Sequence, residues 1–464
     1  MLTRLRARLL APAVPRHPAL VAAVLVGASM LVLLWSNSRI LILRKNQDPA
    51  RPTVLSAYPV YHAMAVALGE GRPGQVDVAR FRAYSALADP FAEYPSAVQE
   101  PEFVDYYSLD IGYSFIVELG RLAFPTLPDN HLRSLALQLT VDFGMPLLLC
   151  FLFAQWRAGL GLAAALLYTG NKVFIQLVSV PFYYYWDVPI AFAVLGALLL
   201  SLERPRVAGR VLAMAGLLLG FAVWLRASWW PIAGFLLALL LATPSLRRKV
   251  LPAMVLFAIV AAPQVWRSTR ARGHIALSTR ATWHVAVVGL GYYPNAYGFQ
   301  ANDEFVFRLT REKYGVPFRM DDYGPQDEAA KKEYLAVLRK DPGFVVRSFL
   351  GRLGESSLGT TSTSLSPFPG LSNPIYRIIG LAGLVLMVLR GGARRTLGLA
   401  AAGVYVIYVG LTSLFYFVGL AYDSVSQVAL FVLMMGLLDS GAHLVGVVAG
   451  RGREGTPARR GTSD

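Results

Sequence analysis

Apolar residues fall along this chain mostly in blocks of about 17–25, long enough as helices to cross a hydrocarbon core ~30 Å thick. The blocks lie near 18–35, 133–156, 158–181, 184–202, 211–225, 229–242, 250–266, 375–389, 397–421 and 425–448. Short polar joints separate most of them, and long mixed stretches intervene at 37–132 and 267–373. The pattern predicts an all-α polytopic membrane protein of about ten transmembrane helices with two large extracytoplasmic loops. The first block reaches spanning length without an A-x-A-like end, so it reads as an anchor rather than a cleaved signal.

Basic residues orient the blocks. Alternate joints carry Arg4, Arg6, Arg8 and Arg16, then Arg157, then Arg204, Arg206 and Arg210. The same set continues with Arg247, Arg248 and Lys249, then Arg390, Arg394 and Arg395, then Arg451, Arg453, Arg459 and Arg460. The short joints at 181–183 and 422–424 have none. By the positive-inside rule both termini are cytoplasmic, and Arg226 is the exception on the far side. The organisation expected is a cytoplasmic N-terminus at 1–17, a first transmembrane helix at 18–36 and an extracytoplasmic loop at 37–132. A transmembrane bundle follows at 133–266, a second extracytoplasmic loop at 267–373, C-terminal transmembrane helices at 374–448 and a cytoplasmic tail at 449–464.

Within the first loop, YPVYHAMAVALGEG places Tyr58, Tyr61, Ala65 and Leu68 on one helical face and ends at glycine. Further on, SLDIGYSFIVELGRLAF puts Ile111, Phe115, Leu119 and Leu122 on one stripe, with Glu118 and Arg121 three apart on another face. Both segments read as amphipathic helices lying at the interface. In the second loop, Asp327–Lys331 and Glu328–Lys332 have the spacing of exposed i,i+4 pairs. Asp341-Pro342-Gly343 turns the chain into another amphipathic helix, a Ser/Thr-rich connector follows at 356–366, and the mixed stretch 274–295 suits short strands.

Composition narrows the class. With 55% hydrophobic residues and a mean hydropathy of +0.48, the chain is too apolar for a soluble protein of this length. A net charge of +16 would suit a nucleic-acid partner, but much of the excess sits in joints where membrane topology requires it. No nucleic-acid partner is expected. Cys150 is the only cysteine and lies in an apolar block, so no disulfide forms within the chain. The stretch GLGLAA at 159–164 imitates a dinucleotide fingerprint, yet it lies in a span with no strand before it, and close helix packing explains it better.

The order of these segments resembles the GT-C superfamily of membrane glycosyltransferases, in particular the polyprenyl-phosphate-sugar-dependent protein mannosyltransferases and aminoarabinose transferases. YPVYHAMAVALGEGRPG is similar to the family's first interfacial helix. DYYSLDIGYSFIVELGRLAF is similar to its second, with Ile111 where proline is usual. VPFYYYWDVPIAFAVLGALLLSLE looks like the span that opens at an external Asp, and GLLLGFAVWLRASWWPIAGFLL like the glycine-rich span ending in Arg. APQVWRSTRARGHIALST resembles the exit into the later loop, with Ser268 in place of asparagine. The resemblance implies a GT-C-like bundle that moves a sugar from a polyprenyl-phosphate carrier to a glycan, lipid or protein acceptor at the extracytoplasmic face.

That reaction requires a carboxylate to take the acceptor proton, cations to hold the leaving phosphate, and a groove open to the lipid tail. Asp48 is the first acid after the first span, and it also suits a plain turn before Pro49. Asp105 and Asp110 follow, and Asp110 could equally cap a helix. For the phosphate and the sugar the candidates are Arg226, Arg267, Arg270, His274 and Asp187, where Asp187 reads as a helix cap or a cavity-lining acid. Tyr58 and Tyr61 complete the substrate-binding set. No resident cofactor is expected and no metal ligand is assigned, although a divalent ion held by Asp48 and a neighbour stays open.

Two other classes compete: a transporter or flippase of lipid-linked glycans, and an O-antigen ligase or polymerase. Large external loops and sparse intramembrane charge weigh against the transporter. The ligases place their large loop late. Arginine outnumbers lysine heavily, and no N-x-[ST] sequon occurs, which favours a multi-pass protein of a bacterial inner membrane with its active face toward the periplasm.

Overall fold

The computed structural model describes Arg39 and residues 58–87, 91–95, 100–107, 110–278, 282–319, 322–359, 367–368, 370–415 and 424–454, with side chains as far as 445. The apolar block at 18–35 and the candidate acid Asp48 lie outside the described residues.

The chain is an all-α membrane protein. Among the described residues, the first region holds α1 (Tyr58–Gly69), β1 (Gln75–Asp77), α2 (Val78–Ser85), β2 (Phe103–Asp105) and α3 (Gly112–Ala123). The bundle follows as α4 (His131–Ala154), α5 (Ala158–Gly170), α6 (Lys172–Val178), α7 (Tyr183–Glu203), α8 (Ala208–Leu225), α9 (Trp229–Ala242) and α10 (Leu251–Arg272). Next come α11 (Thr282–Leu290), α12 (Asp303–Tyr314), α13 (Gly324–Lys340) and α14 (Pro342–Leu358). The last helices are α15 (Asn373–Arg390), α16 (Gly392–Phe415) and α17 (Ser424–Glu454). β1 and β2 pair antiparallel, with Val76 opposite Val104.

By length and composition α4, α7, α8, α10, α15, α16 and α17 can each cross a membrane, and α5 with α6 makes an eighth span bent by 58°. α9 is apolar but shorter. The span expected over 158–181 is therefore broken. Asn171 breaks it: its side chain accepts from the amides of Val173 (2.9 Å) and Phe174 (3.4 Å) and starts a new helix. The Thr169 carbonyl at the break accepts from Arg39 Nη1 at 3.0 Å, which satisfies a group the bilayer could not.

Glycines set the closest helix contacts. On α8, Gly216 and Gly220 are one turn apart, and a Cβ on Gly216 would lie 2.1 Å from the Ala253 carbonyl oxygen of α10. Gly161 faces the Cys150 carbonyl of α4 in the same manner, so the GLGLAA stretch is a packing seam. Gly216→Val should therefore force α8 from α10, and a loss of roughly 1–3 kcal/mol or more is expected from such overpacking. The check is the thermal unfolding midpoint in detergent.

One end of the bundle gathers basic residues from separate joints onto one acid. Asp439, 1% exposed, accepts from Arg157 Nε at 3.0 Å and Arg394 Nε at 3.2 Å, and also pairs with Arg390. Arg394 reaches Glu203 as well. Arg157, Arg390, Arg394 and the end of α7 thus share one side of the bundle, as the alternation of charge requires.

The first region differs from expectation in one respect. Instead of floating with one polar face, α1 is buried nearly all round, from Tyr58 to Ala67, because α3, α2 and the strand pair enclose it. α3 buries Tyr113, Ile116, Val117 and Gly120 and leaves Leu119 and Leu122 exposed. Of the stripe read from the sequence, Ile111 is inside and Phe115 packs edge-on to Trp224 at 5.3 Å.

The expected Glu118–Arg121 pair forms at 2.6 Å, and Arg121 also bonds Asp129 at 3.0 Å. Asp129 further meets Arg133 at 3.2 Å and the buried His62 at 3.3 Å, joining α1, α3 and α4. Burial acts to raise the Asp129 carboxyl, but the close His62 ring and the hydrogen bonds from Arg121 outweigh it and hold the group well below the usual carboxylate range. Burial likewise pulls the His62 imidazole down, against the opposing pull of Asp129. Both groups release protons more readily folded than unfolded, so their contribution is full at neutral pH and is lost on acidification. The unfolding midpoint should fall below about pH 6.5 through His62 and again below about pH 3.8 through Asp129. Asp129→Asn should flatten the lower step.

The region between α10 and α15 also corrects two expectations. Residues 282–290 form helix α11 rather than strands. Asp327 does not stand on an exposed face: it is buried and accepts from the amides of Trp283 (2.7 Å) and His284 (2.9 Å), which explains how α11 begins. On the outer face of α13, Lys331 meets Glu328 one turn back at 3.6 Å. Asp341 caps α14 through the Phe344 amide at 2.8 Å, as its Pro-Gly context suggests. Together α11 to α14 enclose a small core of Val287, Leu290, Val306, Ala330 and Val337, separate from the core of the bundle.

Candidate active site

Asp110 is the acid most strongly set apart. It precedes α3, yet it does not cap that helix, whose N-cap is Ile111 with no side-chain cap bond. Its carboxylate is fully buried instead, and Oδ1 accepts from Gln264 Nε2 of α10 at 2.8 Å and from Ser278 Oγ at 3.0 Å. A buried carboxylate needs such donors, because each unmatched charge costs several kcal/mol.

Close backbone approach brings these groups together. A Cβ on Gly112 would fall 2.5 Å from the Trp224 carbonyl carbon, so only glycine lets α3 start against the end of α8. Beyond α10, Gly273 (φ +70°) turns the chain, and Trp230 Nε1 holds the Leu277 carbonyl at 3.0 Å, fixing Ser278 over Asp110.

Arg267 lies one turn beyond Gln264 on α10, and both are buried. Its guanidinium donates to the Tyr106 carbonyl and covers the Tyr107 ring at 5.4 Å. Gly74 (φ +79°) makes room for it, since a Cβ there would lie 3.2 Å from Arg267 Nε. Asp110, Gln264, Arg267 and Ser278, with the strand-end residues Tyr106 and Tyr107, thus form one cluster where the first region meets the end of α10. Arg270 and His274 are exposed, Arg270 lying against Trp266 at 5.7 Å. Asp105, at the end of β2, is exposed and accepts from Gln75 (3.1 Å) and the Tyr107 hydroxyl (3.1 Å).

Asp187 and Arg226 form a second cluster. Asp187 lies in the first turns of α7, fully buried, and neither caps the helix nor lines an open cavity. It accepts from Arg226 Nη1 at 2.6 Å, Trp229 Nε1 at 2.8 Å and Ser424 Oγ at 3.3 Å. Arg226 Nη1 also reaches the Tyr408 hydroxyl at 2.6 Å, and the guanidinium lies 5.1 Å from the Tyr184 ring. The charge that broke the topology rule is therefore matched inside the bundle.

Tyr58 and Tyr61 are buried in an aromatic layer between the clusters. Tyr61 meets Tyr113 at 5.1 Å and Tyr183 at 6.1 Å, while the Tyr58 hydroxyl pairs with Ser134 at 2.9 Å. Burial drives the Tyr58 phenol far above its ordinary pKa, so it acts as a neutral hydrogen-bonding group.

Gln264, Ser278 and the Asp142 network are not among the candidates that the sequence pattern singles out. Asp142 lies inside α4, bonded to Arg39 Nε at 2.5 Å and the Tyr168 hydroxyl at 2.5 Å. An acid within an apolar block was its visible signal. Gln264 carries a similar mark, an amide in an apolar run one turn before an arginine. Among the described residues no three His, Cys, Asp or Glu side chains converge as metal ligands.

Fold and site together define a polytopic all-α membrane protein with buried charge clusters near the ends of its spans. Its backbone is similar to the archaeal oligosaccharyltransferase AglB from Archaeoglobus fulgidus in complex with an inhibitory peptide and a dolichol-phosphate (13% identity, TM-score 0.47, 96% of this chain and 52% of that one). It is also similar to the apo form of the Archaeoglobus fulgidus oligosaccharyltransferase (15% identity, TM-score 0.49, 93% and 52%). The chain spans about half the length of these structures. No protein-family model and no curated protein sequence matches it.

Proposed function

We propose that this protein is an integral membrane glycosyltransferase that moves a sugar from a polyprenyl-phosphate carrier to an acceptor at the extracytoplasmic face of a bacterial inner membrane. The observation that carries this reading is the buried Asp110, held by Gln264 and Ser278 beside Arg267 at the end of a span. The collinear sequence resemblance to the GT-C superfamily supports it. In this reading the Asp110 carboxylate takes the proton of the acceptor hydroxyl as the hydroxyl oxygen attacks the sugar carbon. The bond from that carbon to the phosphate oxygen breaks, and polyprenyl phosphate leaves with the electron pair. Arg267, with the exposed Arg270 and His274, holds the leaving phosphate. Asp187 and Arg226 fix the frame against which the aromatic layer and the site are built.

The test is release of polyprenyl phosphate from a panel of radiolabelled polyprenyl-phosphate hexoses and pentoses in reconstituted vesicles. Release dependent on the protein supports transfer. Movement of the intact donor between leaflets without release would favour the transporter reading instead.

A further inference from the structure

The unit built from α11 to α14 contains a group of side chains that the proposed reaction does not use. Tyr292 and Tyr293 follow α11, and both donate to one carboxylate on α14: Tyr292 to Glu355 Oε2 at 2.8 Å and Tyr293 to Glu355 Oε1 at 2.8 Å. Their rings stand at right angles with centroids 4.9 Å apart, and all three residues are partly exposed. Burial and Glu355 push the Tyr292 phenol up to about 12, so the hydroxyl keeps its proton.

The surroundings are shaped for this arrangement. A Cβ on Gly351, one turn before Glu355, would lie 2.9 Å from the Tyr293 hydroxyl, so glycine lets that ring lie across α14. Gly289 makes the same allowance for the buried Arg352. Two residues past Glu355, the Ser357 carbonyl accepts from the Tyr405 hydroxyl of α16 at 3.0 Å, which fixes the group against the bundle.

We infer that Glu355, Tyr292 and Tyr293 form a carbohydrate-binding subsite, and that it receives the acceptor glycan. Each carboxylate oxygen has acceptor capacity left beyond its one phenol, and a sugar supplies the neighbouring hydroxyl donors that would use it. The partly exposed rings offer apolar surface for the C–H side of a sugar ring. The word acceptor rests on the transferase reading. The binding does not.

The test is saturation-transfer NMR on the full chain in detergent, with methyl α-D-mannopyranoside, methyl β-D-galactofuranoside and methyl α-D-arabinofuranoside as probes. At least one should bind wild type, and Glu355→Gln should weaken it by about tenfold, the worth of a hydrogen bond to a charged group. The double variant Tyr292→Phe, Tyr293→Phe keeps both rings and should also weaken it, which covers the case in which Glu355→Gln fails to fold. No binding of any probe to wild type, or unchanged binding in folded variants, overturns the subsite. Glycoside binding without any sugar transfer would defeat the transferase reading and leave the subsite standing.

Discussion

Asp110→Asn is expected to lower the turnover of sugar transfer by about 10²–10⁴-fold, the usual contribution of a positioned general base. The amide oxygen of asparagine can still accept from Gln264 and Ser278, so the protein should fold and reach the membrane in wild-type amounts. The proton-accepting function is removed. The effect should therefore fall on kcat and leave the donor KM nearly unchanged, because Asp110 is assigned to the acceptor and not to the carrier phosphate. Arg267→Gln should do the reverse in part, raising the donor KM, since it removes the charge assigned to the phosphate. Asp105→Asn is the control. Its carboxylate is exposed and, among the described residues, bonded to Gln75 and Tyr107 alone, and a rate within about threefold of wild type is expected for a surface change of that kind.

The second large effect is on stability. Asp187→Leu leaves Arg226 buried, 3% exposed, with its principal counter-charge gone. Removing one partner of a buried pair costs about 3–5 kcal/mol, whereas removing both with apolar groups of similar size is often neutral. The double variant Asp187→Leu, Arg226→Leu should consequently unfold at a higher temperature than Asp187→Leu alone. Trp229 and Tyr408 would still lose partners in the double variant, so full recovery is not expected. A double variant that is less stable than either single one would show that Arg226 does more than answer Asp187.

These outcomes separate what the sequence made legible from what it did not. Spans α4, α7, α8, α10, α15, α16 and α17 were legible because a bilayer demands long apolar runs and no other environment does. The break at Asn171 was not, since a single amide within an apolar run looks like a tolerated polar residue until its own side chain is seen capping the next helix. Asp327 misled for a related reason. Its spacing to Lys331 fits a surface pair, but the amide groups of α11, remote in sequence, claimed it. Charge matching across distant segments is likewise invisible to periodicity. Arg226 stood out as an anomaly in the sequence, yet only the fold supplies Asp187, 39 residues away, and Tyr408, 182 away. Asp110 was a candidate on order alone, and its hold on Gln264 and Ser278 came from tertiary contact.

In the proposed reaction the carrier phosphate and the attacked sugar meet at the Asp110–Arg267 end of α10. The most direct measurement is photo-crosslinking with a polyprenyl phosphate carrying a diazirine near its phosphate, applied to the protein in vesicles and read by peptide mapping. Label is expected on residues 262–278 and around Asp110, reduced in Arg267→Gln and displaced by unlabelled polyprenyl phosphate. Specific label confined to other segments, or label at the end of α10 unaffected by Arg267→Gln, would contradict that placement.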